Sequence, residues 1–343
     1  MARVTSADVA RAAGVSQSAV SRVFTPGASY SKETEAKVRA AAERLGYRPN
    51  RLARGLITGR SRLIGLVVAS LDNLLYPVAV ERLSRALQDE GLHCLIFIAG
   101  TDGADVPRVI GDLLDYQVDG IVTASVGMTD DLAARCEAAG IPVVMFNRGQ
   151  DDPRLAEVTA DNRAGGRLAA EFLIAGGHRR LAHVAGWQGA STGRDRAAGF
   201  AEALAAAGLA PWGVIDAGFD RAAAAAATRR LFVAPRRPDA LLPDALFVGS
   251  DHMALAALDV LRGELGLSVP GDVSVVGFDD VPAAAWDAYR LTTIRQPIEA
   301  MVAETVATLI ARIGGEPGPP RRIRLPVDLV IRTSAPIPEG WPR

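Results

Sequence analysis

The run DVARAAGVSQSAVSRVF, from Asp8 to Phe24, carries two short helix patterns around one tight turn. Ser6 is placed to cap a first helix that runs through Ala12, and Gly14 stands where such a helix stops. Ser16 caps a second helix, Gln17 to Phe24. The joint between them, Ala13-Gly14-Val15-Ser16, has the length and residue types of a helix-turn-helix. Ser31 caps a third helix, Lys32 to Leu45. Glu33 and Glu35 fall in its first turn, where the helix dipole favours carboxylates, and Gly46 follows its end. Val9, Val20, Val23, Val38 and Leu45 are spaced to share a small core. Residues 1–46 therefore read as an all-α headpiece.

Outward from this headpiece the pattern changes twice. Residues 47–61, YRPNRLARGLITGRS, include Pro49, which breaks the third helix. Asn50 can cap one further turn, Arg51 to Leu56, but Gly55 and Gly59 weaken it in isolation. This segment reads as a linker that orders on binding. From Leu63 onward, short apolar runs alternate with amphipathic helices. Ile64–Ala69, Cys94–Ala99, Gly120–Val122 and Pro142–Phe146 read as strands, separated by helices that include Pro77–Asp89 and Asp131–Ala139. A second series begins near Asp161, with strands Leu181–Ala185, Ala245–Val248 and Val273–Gly277 and helices Ala164–Ala175, Asp195–Ala207 and Arg221–Phe232. Such alternation predicts two doubly wound parallel sheets, hence two lobes, with ligands at the carboxyl ends of the strands. The expected lobes are residues 62–160 plus 293–322, and 161–290 plus 323–343.

Composition narrows the function. Of 343 residues, 49% are hydrophobic and 22% charged, which excludes a mainly disordered chain. No apolar run approaches the ~18 residues that span a bilayer. The start, MARVTSADVARAAGV, lacks the apolar stretch of a secretory signal, so a cytoplasmic protein without membrane contact is expected. Cys94 and Cys136 cannot build a disulfide framework or a thiolate metal cage. His93, His178 and His183 lack zinc-ligand spacing, and no Gly-rich phosphate loop is present, so no metal or cofactor is expected. The net charge of −1 conceals +7 over residues 1–60 and −8 over the remainder. A basic module on an acidic body points to a polyanion partner.

The string Asp8–Phe24, followed by YRPNRLARGL (Tyr47–Leu56), resembles the lactose-repressor (LacI/GalR) family of transcription regulators. The strings Asn162–Gly186, Arg194–Phe200, Ser250–Arg262, Val269–Asp280 and Leu291–Pro297 fit the same family in the same order, so the resemblance covers nearly the whole chain. It implies a helix-turn-helix headpiece at 1–46, a hinge at 47–61 and a two-lobed, periplasmic-binding-protein-like body at 62–343. It also implies a repressor that binds double-stranded DNA at a near-palindromic operator as a homodimer, under control of a small polar effector, a sugar or sugar derivative. By resemblance Gln17, Ser18 and Arg22 face bases; Ser18 and Arg22 lie four apart on one helix face, and Arg22 has the donors to bind guanine bidentately. Thr5, Ser16, Ser21 and Asn50 match phosphate contacts. Leu56 matches a leucine wedged into a minor-groove base step, with Ala53 beside it. The competing readings are a solvated face for Arg22 and packing on the body for Leu56. The tail after Arg332, TSAPIPEGWPR, has no heptads, so a dimer without a tetramer bundle is expected.

For the effector, hydroxyls call for carboxylates, Arg and Asn, and an apolar sugar face calls for an aromatic ring. By resemblance Asn147, Arg196, Ser250 and Asp279, each at an expected strand end, line a cleft. Arg148, Ser191, Thr192 and, more remotely, Tyr76 join them, and Trp286 is a candidate to stack on the sugar unless it merely packs between lobes. Asp251 and Asp280 read as structural caps. One motif argues for an enzyme instead. Gly189-Ala-Ser191-Thr-Gly193 matches the G-x-S-x-G elbow of serine hydrolases. A triad would have to use His252, the one histidine downstream. Gly186-Trp187-Gln188 separate the motif from its strand and no HGGG-type motif precedes it, so catalysis is not expected. A binding protein without DNA function would leave residues 1–60 unexplained.

Overall fold

The computed structural model describes residues 4–25, 27–48, 60–100, 105–233 and 242–342. Asn50, Ala53 and Leu56, and with them the expected hinge turn, lie outside the described residues. The chain divides into two compact units, Met1–Ser61 and Arg62–Arg343.

In the first unit, α1 (Ser6–Ala13), α2 (Gln17–Val23) and α3 (Lys32–Leu45) form as the sequence predicts, with ends shifted by a residue. The first cap is Thr5 rather than Ser6. Thr5 Oγ1 accepts from Asp8 N at 3.3 Å, and the Asp8 carboxylate accepts from Thr5 N at 3.0 Å. That reciprocal box satisfies two backbone donors, whereas Ser6 paired with a neutral side chain three residues on would satisfy one. Ser16 and Ser31 cap as expected, accepting from Ala19 N and Thr34 N. Gly14 and Gly46 close their helices at φ 64° and 66°, a left-handed conformation that a Cβ disfavours. Val9, Ala10, Val20, Val23, Val38, Ala41 and Ala42 are buried together, with Leu45 packed at the rim.

Among the described residues, the second unit holds two six-stranded sheets. The first contains β1 (Leu63–Val68), β2 (His93–Ile98), β3 (Gly120–Ala124), β4 (Val143–Phe146), β5 (Ala156–Ala160) and β11 (Arg322–Leu325), in the order β11-β5-β4-β3-β1-β2. The second contains β6 (Leu181–Ala185), β7 (Gly213–Asp216), β8 (Ala245–Val248), β9 (Ser274–Asp279), β10 (Thr292–Arg295) and β12 (Asp328–Val330), in the order β12-β10-β9-β8-β6-β7. Ile64, Leu66 and Val68 point to one side of the first sheet and Val67 to the other, and both sides are buried cores. All pairings are parallel except β10 with β12, so the second sheet departs from the expected all-parallel form at its edge.

The lobe boundaries also differ from expectation. β10 pairs with β9, Thr292 opposite Val276, and so belongs to the second lobe. β11 pairs with β5, Arg322 opposite Glu157, and so belongs wholly to the first. The chain therefore crosses after Arg295 and after Leu325, three residues beyond each expected point. Pro297 and Pro326 mark these places, because neither can donate to a continuing ladder. The helix Asn162–Ala175 crosses the helix Ser191–Ala206 at backbone contact. A Cβ on Gly166 would meet the Arg196 carbonyl oxygen at 2.1 Å, and one on Gly199 the Arg163 carbonyl oxygen at 1.9 Å.

Candidate functional site: a helix face and an interlobe cleft

In the headpiece, Val20 and Val23 turn inward, and this directs Gln17, Ser18, Ser21 and Arg22 to the exposed side of α2. Gln17 Nε2 donates to Ser6 Oγ at 2.9 Å, and Ser16 and Ser18 share a hydroxyl bond of 2.9 Å. Arg22 Nε donates to Ser18 O at 3.4 Å, and its guanidinium pairs with no carboxylate among the described residues. Thr5 and Ser16 are exposed at helix starts, where free N–H groups favour anions.

In the body, strand ends of both lobes surround a cavity of about 490 Å³. From the first lobe come Ala69 and Ser70 after β1, Ser125 after β3, and Asn147 and Arg148 after β4. Ser125 and Asn147 take φ of 63° and 69°, an uncommon conformation that aims both side chains out of the sheet. Tyr76, buried in the first turn of the helix Leu75–Asp89, bonds Ser125 Oγ and accepts from Asn147 Nδ2 at 2.9 Å. Burial holds its phenol above the usual range. Asn147 Oδ1 and Arg148 Nε are buried without a partner. The Arg148 guanidinium lies over the Trp187 ring, 5.4 Å from its centre, so this contact joins the two lobes. Burial lowers the Arg148 pKa, because the charged form loses hydration.

The second lobe contributes Trp187 after β6, Phe219 and Asp220 after β7, Thr192 and Arg196 from the helix Ser191–Ala206, His252, and Asp279 at the end of β9. Arg196 is 2% exposed. It donates through Nε to Asn162 Oδ1 at 2.8 Å and through Nη1 to Gly249 O at 2.5 Å, and it pairs with Asp279 at 3.5 Å. The Phe278 ring lies 3.6 Å beneath it. Asp279 also accepts from Gln296 at 2.7 Å. Burial raises its pKa, against the pull of Arg196. Asp251 sits behind it, accepting from Thr293 Oγ1 at 2.6 Å and Val281 N at 3.0 Å, and burial raises its pKa too. Arg196 and Asp279 thus present fixed donor and acceptor groups to the cavity, as hydroxyl recognition needs.

Not every expected residue arrives there. Ser250 is buried as a helix cap, its Oγ accepting from Met253 N, and is absent from the cavity wall. Ser191 opens a helix rather than lying in a loop. Its hydroxyl accepts from Gly149 N at 3.1 Å, a bond between lobes, and no hydrogen bond joins it to a histidine among the described residues. Trp286 is 61% exposed and stands outside the cavity. It follows the turn Pro282–Ala285. The cleft's indole is Trp187 instead, with Phe219 as a second ring. The signal for Trp187 was its place two residues after a strand end, where a parallel sheet presents its ligand groups. Asp72, Asp220, His252 and Ser125 also line the cavity and had no distinguishing pattern.

A helix-turn-helix unit and a two-lobed body with a polar cleft, on one chain, define a single-component transcription regulator. The description of the bacterial regulatory proteins of the lacI family matches residues 5–50, and that of the periplasmic binding protein-like domain matches residues 170–335. The chain is 38% identical to the HTH-type transcriptional regulator CelR of Thermobifida fusca, over 95% of this chain and 96% of that one. A solved CelR–cellobiose complex aligns at TM-score 0.72 and 36% identity, covering 97% of this chain and all of the other. The Lac repressor dimer bound to operator and the anti-inducer ONPF aligns at TM-score 0.85 and 29% identity, covering 97% and 99%. The chain belongs to the LacI family and is a transcriptional regulator.

Proposed function

We propose that the protein is a repressor that binds a near-palindromic operator as a homodimer and is controlled by a sugar or sugar derivative held between its lobes. The observation that carries the effector reading is the cavity wall: a buried Arg196–Asp279 pair opposite Asn147, whose Oδ1 lacks a donor. The CelR–cellobiose complex makes cellobiose the first compound to try. Gln17, Ser18 and Arg22 read bases, while Thr5, Ser16 and Ser21 hold phosphates. Asn50, Ala53 and Leu56 complete the operator contacts, with Leu56 as the minor-groove wedge. Dimerisation through the first lobe is supported by its edge strand β2, where Ile96 and Ile98 are 48% and 47% exposed. Effector favours the closed cleft, shifts the population of body conformations and weakens operator binding.

The test is sequencing of genomic fragments retained by the purified protein at physiological salt, with and without a panel of neutral and acidic sugars that includes cellobiose. Enrichment of one short near-palindrome, lost on adding effector, is expected. Absence of any enriched sequence, with or without cell extract, overturns the reading. A chain lacking residues 1–60 keeps effector binding and loses DNA.

A further inference from the structure

Charge is distributed unevenly along the cleft. Arg196 has its carboxylate, Asp279. Arg148 has none among the described residues, and its one assigned contact is the Trp187 ring. The positive charge of Arg194 also lowers the Arg148 pKa, and among the described residues Arg194 donates to the carbonyls of Gln188 and Gly189. Arg148 is therefore a half-buried guanidinium at this end of the cleft without a counter-charge among the described residues. An aromatic face stabilises a guanidinium from above, but its N–H donors point outward in the ring plane and still require acceptors. A buried guanidinium N–H without an acceptor is costly.

We infer that the effector is an anionic polyol, a sugar bearing a carboxylate or a phosphate, whose charged oxygens pair with Arg148 beside Trp187. This rests on the reading of the cleft as a sugar site. Two atoms carry it together. Arg148 Nε is buried and lacks an acceptor, and the neighbouring Asn147 Oδ1 is buried and lacks a donor. An anion satisfies the first but not the second, which asks for a hydroxyl. Asp279 and Arg196, on the other lobe, take further hydroxyls. Asp72 and Asp220 line another part of the cavity and repel an anion, which favours one orientation of the ligand.

Calorimetric titration of the full-length protein tests this with glucose and cellobiose as neutral probes, glucuronate and cellobiouronate as carboxylates, and glucose 6-phosphate as the phosphate. An acidic probe is expected to bind roughly tenfold or more tightly than the neutral sugar of the same ring. The carboxylate and phosphate arms identify the anion. Arg148→Gln then costs the acidic probe far more than the neutral one, and Arg148→Lys keeps part of the preference. Equal or tighter binding of the neutral sugars overturns the charge assignment and leaves the sugar reading standing, as does an equal loss for both classes in Arg148→Gln. Binding of none overturns the sugar reading and this inference with it. If Arg148→Gln does not fold, the wild-type panel and Arg148→Lys decide.

Discussion

Arg22 leaves α2 on its exposed face with a single weak bond to Ser18 O, so most of its guanidinium donors are uncommitted. Arg22→Ala is expected to relax base preference at one position per half-site, at about 1–3 kcal/mol of discrimination. Selection from a randomised operator library reads this, and an unchanged preference removes Arg22 from base reading. His183 is a different kind of residue. It stacks on Phe247 at 4.6 Å, donates from Nδ1 to Phe247 O at 3.0 Å, and burial pushes its pKa down to about 4. The unfolded chain takes up a proton near pH 6.5 that the folded chain refuses until about pH 4, so His183 removes stability as pH falls through that window. The loss is on the order of 3 kcal/mol. Urea midpoints at pH 7.5 and pH 5 should converge more closely in His183→Asn than in the wild type. An identical pH response in both chains contradicts the assignment. Residue choice within the cleft was only partly legible. Asn147 and Asp279 sit at strand ends that hydropathy reveals and Arg196 on the helix after one, whereas Trp187 and Trp286 both follow strands, with the turn Pro282–Ala285 before Trp286 alone.

The helices Asn162–Ala175 and Ser191–Ala206 are joined through glycine rather than through a layer of side chains. Gly199 lets the Arg163 backbone approach, and Gly166 does the same for Arg196. Arg196 therefore projects into the cleft from a helix seated against its neighbour's main chain. Gly199→Ala must force these helices apart, with an expected loss of about 1–3 kcal/mol of stability. It should also weaken effector binding, although residue 199 is not on the cavity wall. Thermal melting and titration together check this, and a stable variant with full affinity contradicts it. Glycine in a helix reads in sequence only as a weak point, so this crossing was not legible. The caps were more so. Ser16 and Ser31 act as their local pattern predicts, and Thr5 displaces Ser6 because Asp8 can answer its backbone N–H.

At the scale of the whole molecule, alternating strands and helices disclosed two lobes, because each apolar run must be covered on both faces. The edges were less legible. β7, β11 and β12 have three to four residues each, and short edge strands carry little periodicity. β2 is the exception, an edge strand whose Ile96 and Ile98 face outward. Replacing both with Asp is expected to shift the species seen by light scattering from dimer to monomer and to lower operator affinity. An unchanged dimer removes β2 from the interface. A last property follows from the run Arg322–Val330, which supplies β11 to the edge of one sheet and β12 to the edge of the other. During synthesis the three headpiece helices close on local contacts as soon as they emerge, since they pair residues within one short segment. Neither lobe can complete its sheet until the ribosome has released those nine residues, which follow the other described strands. A message truncated before codon 322 therefore leaves a finished headpiece attached to two unfinished lobes, and such a product is a natural substrate for degradation.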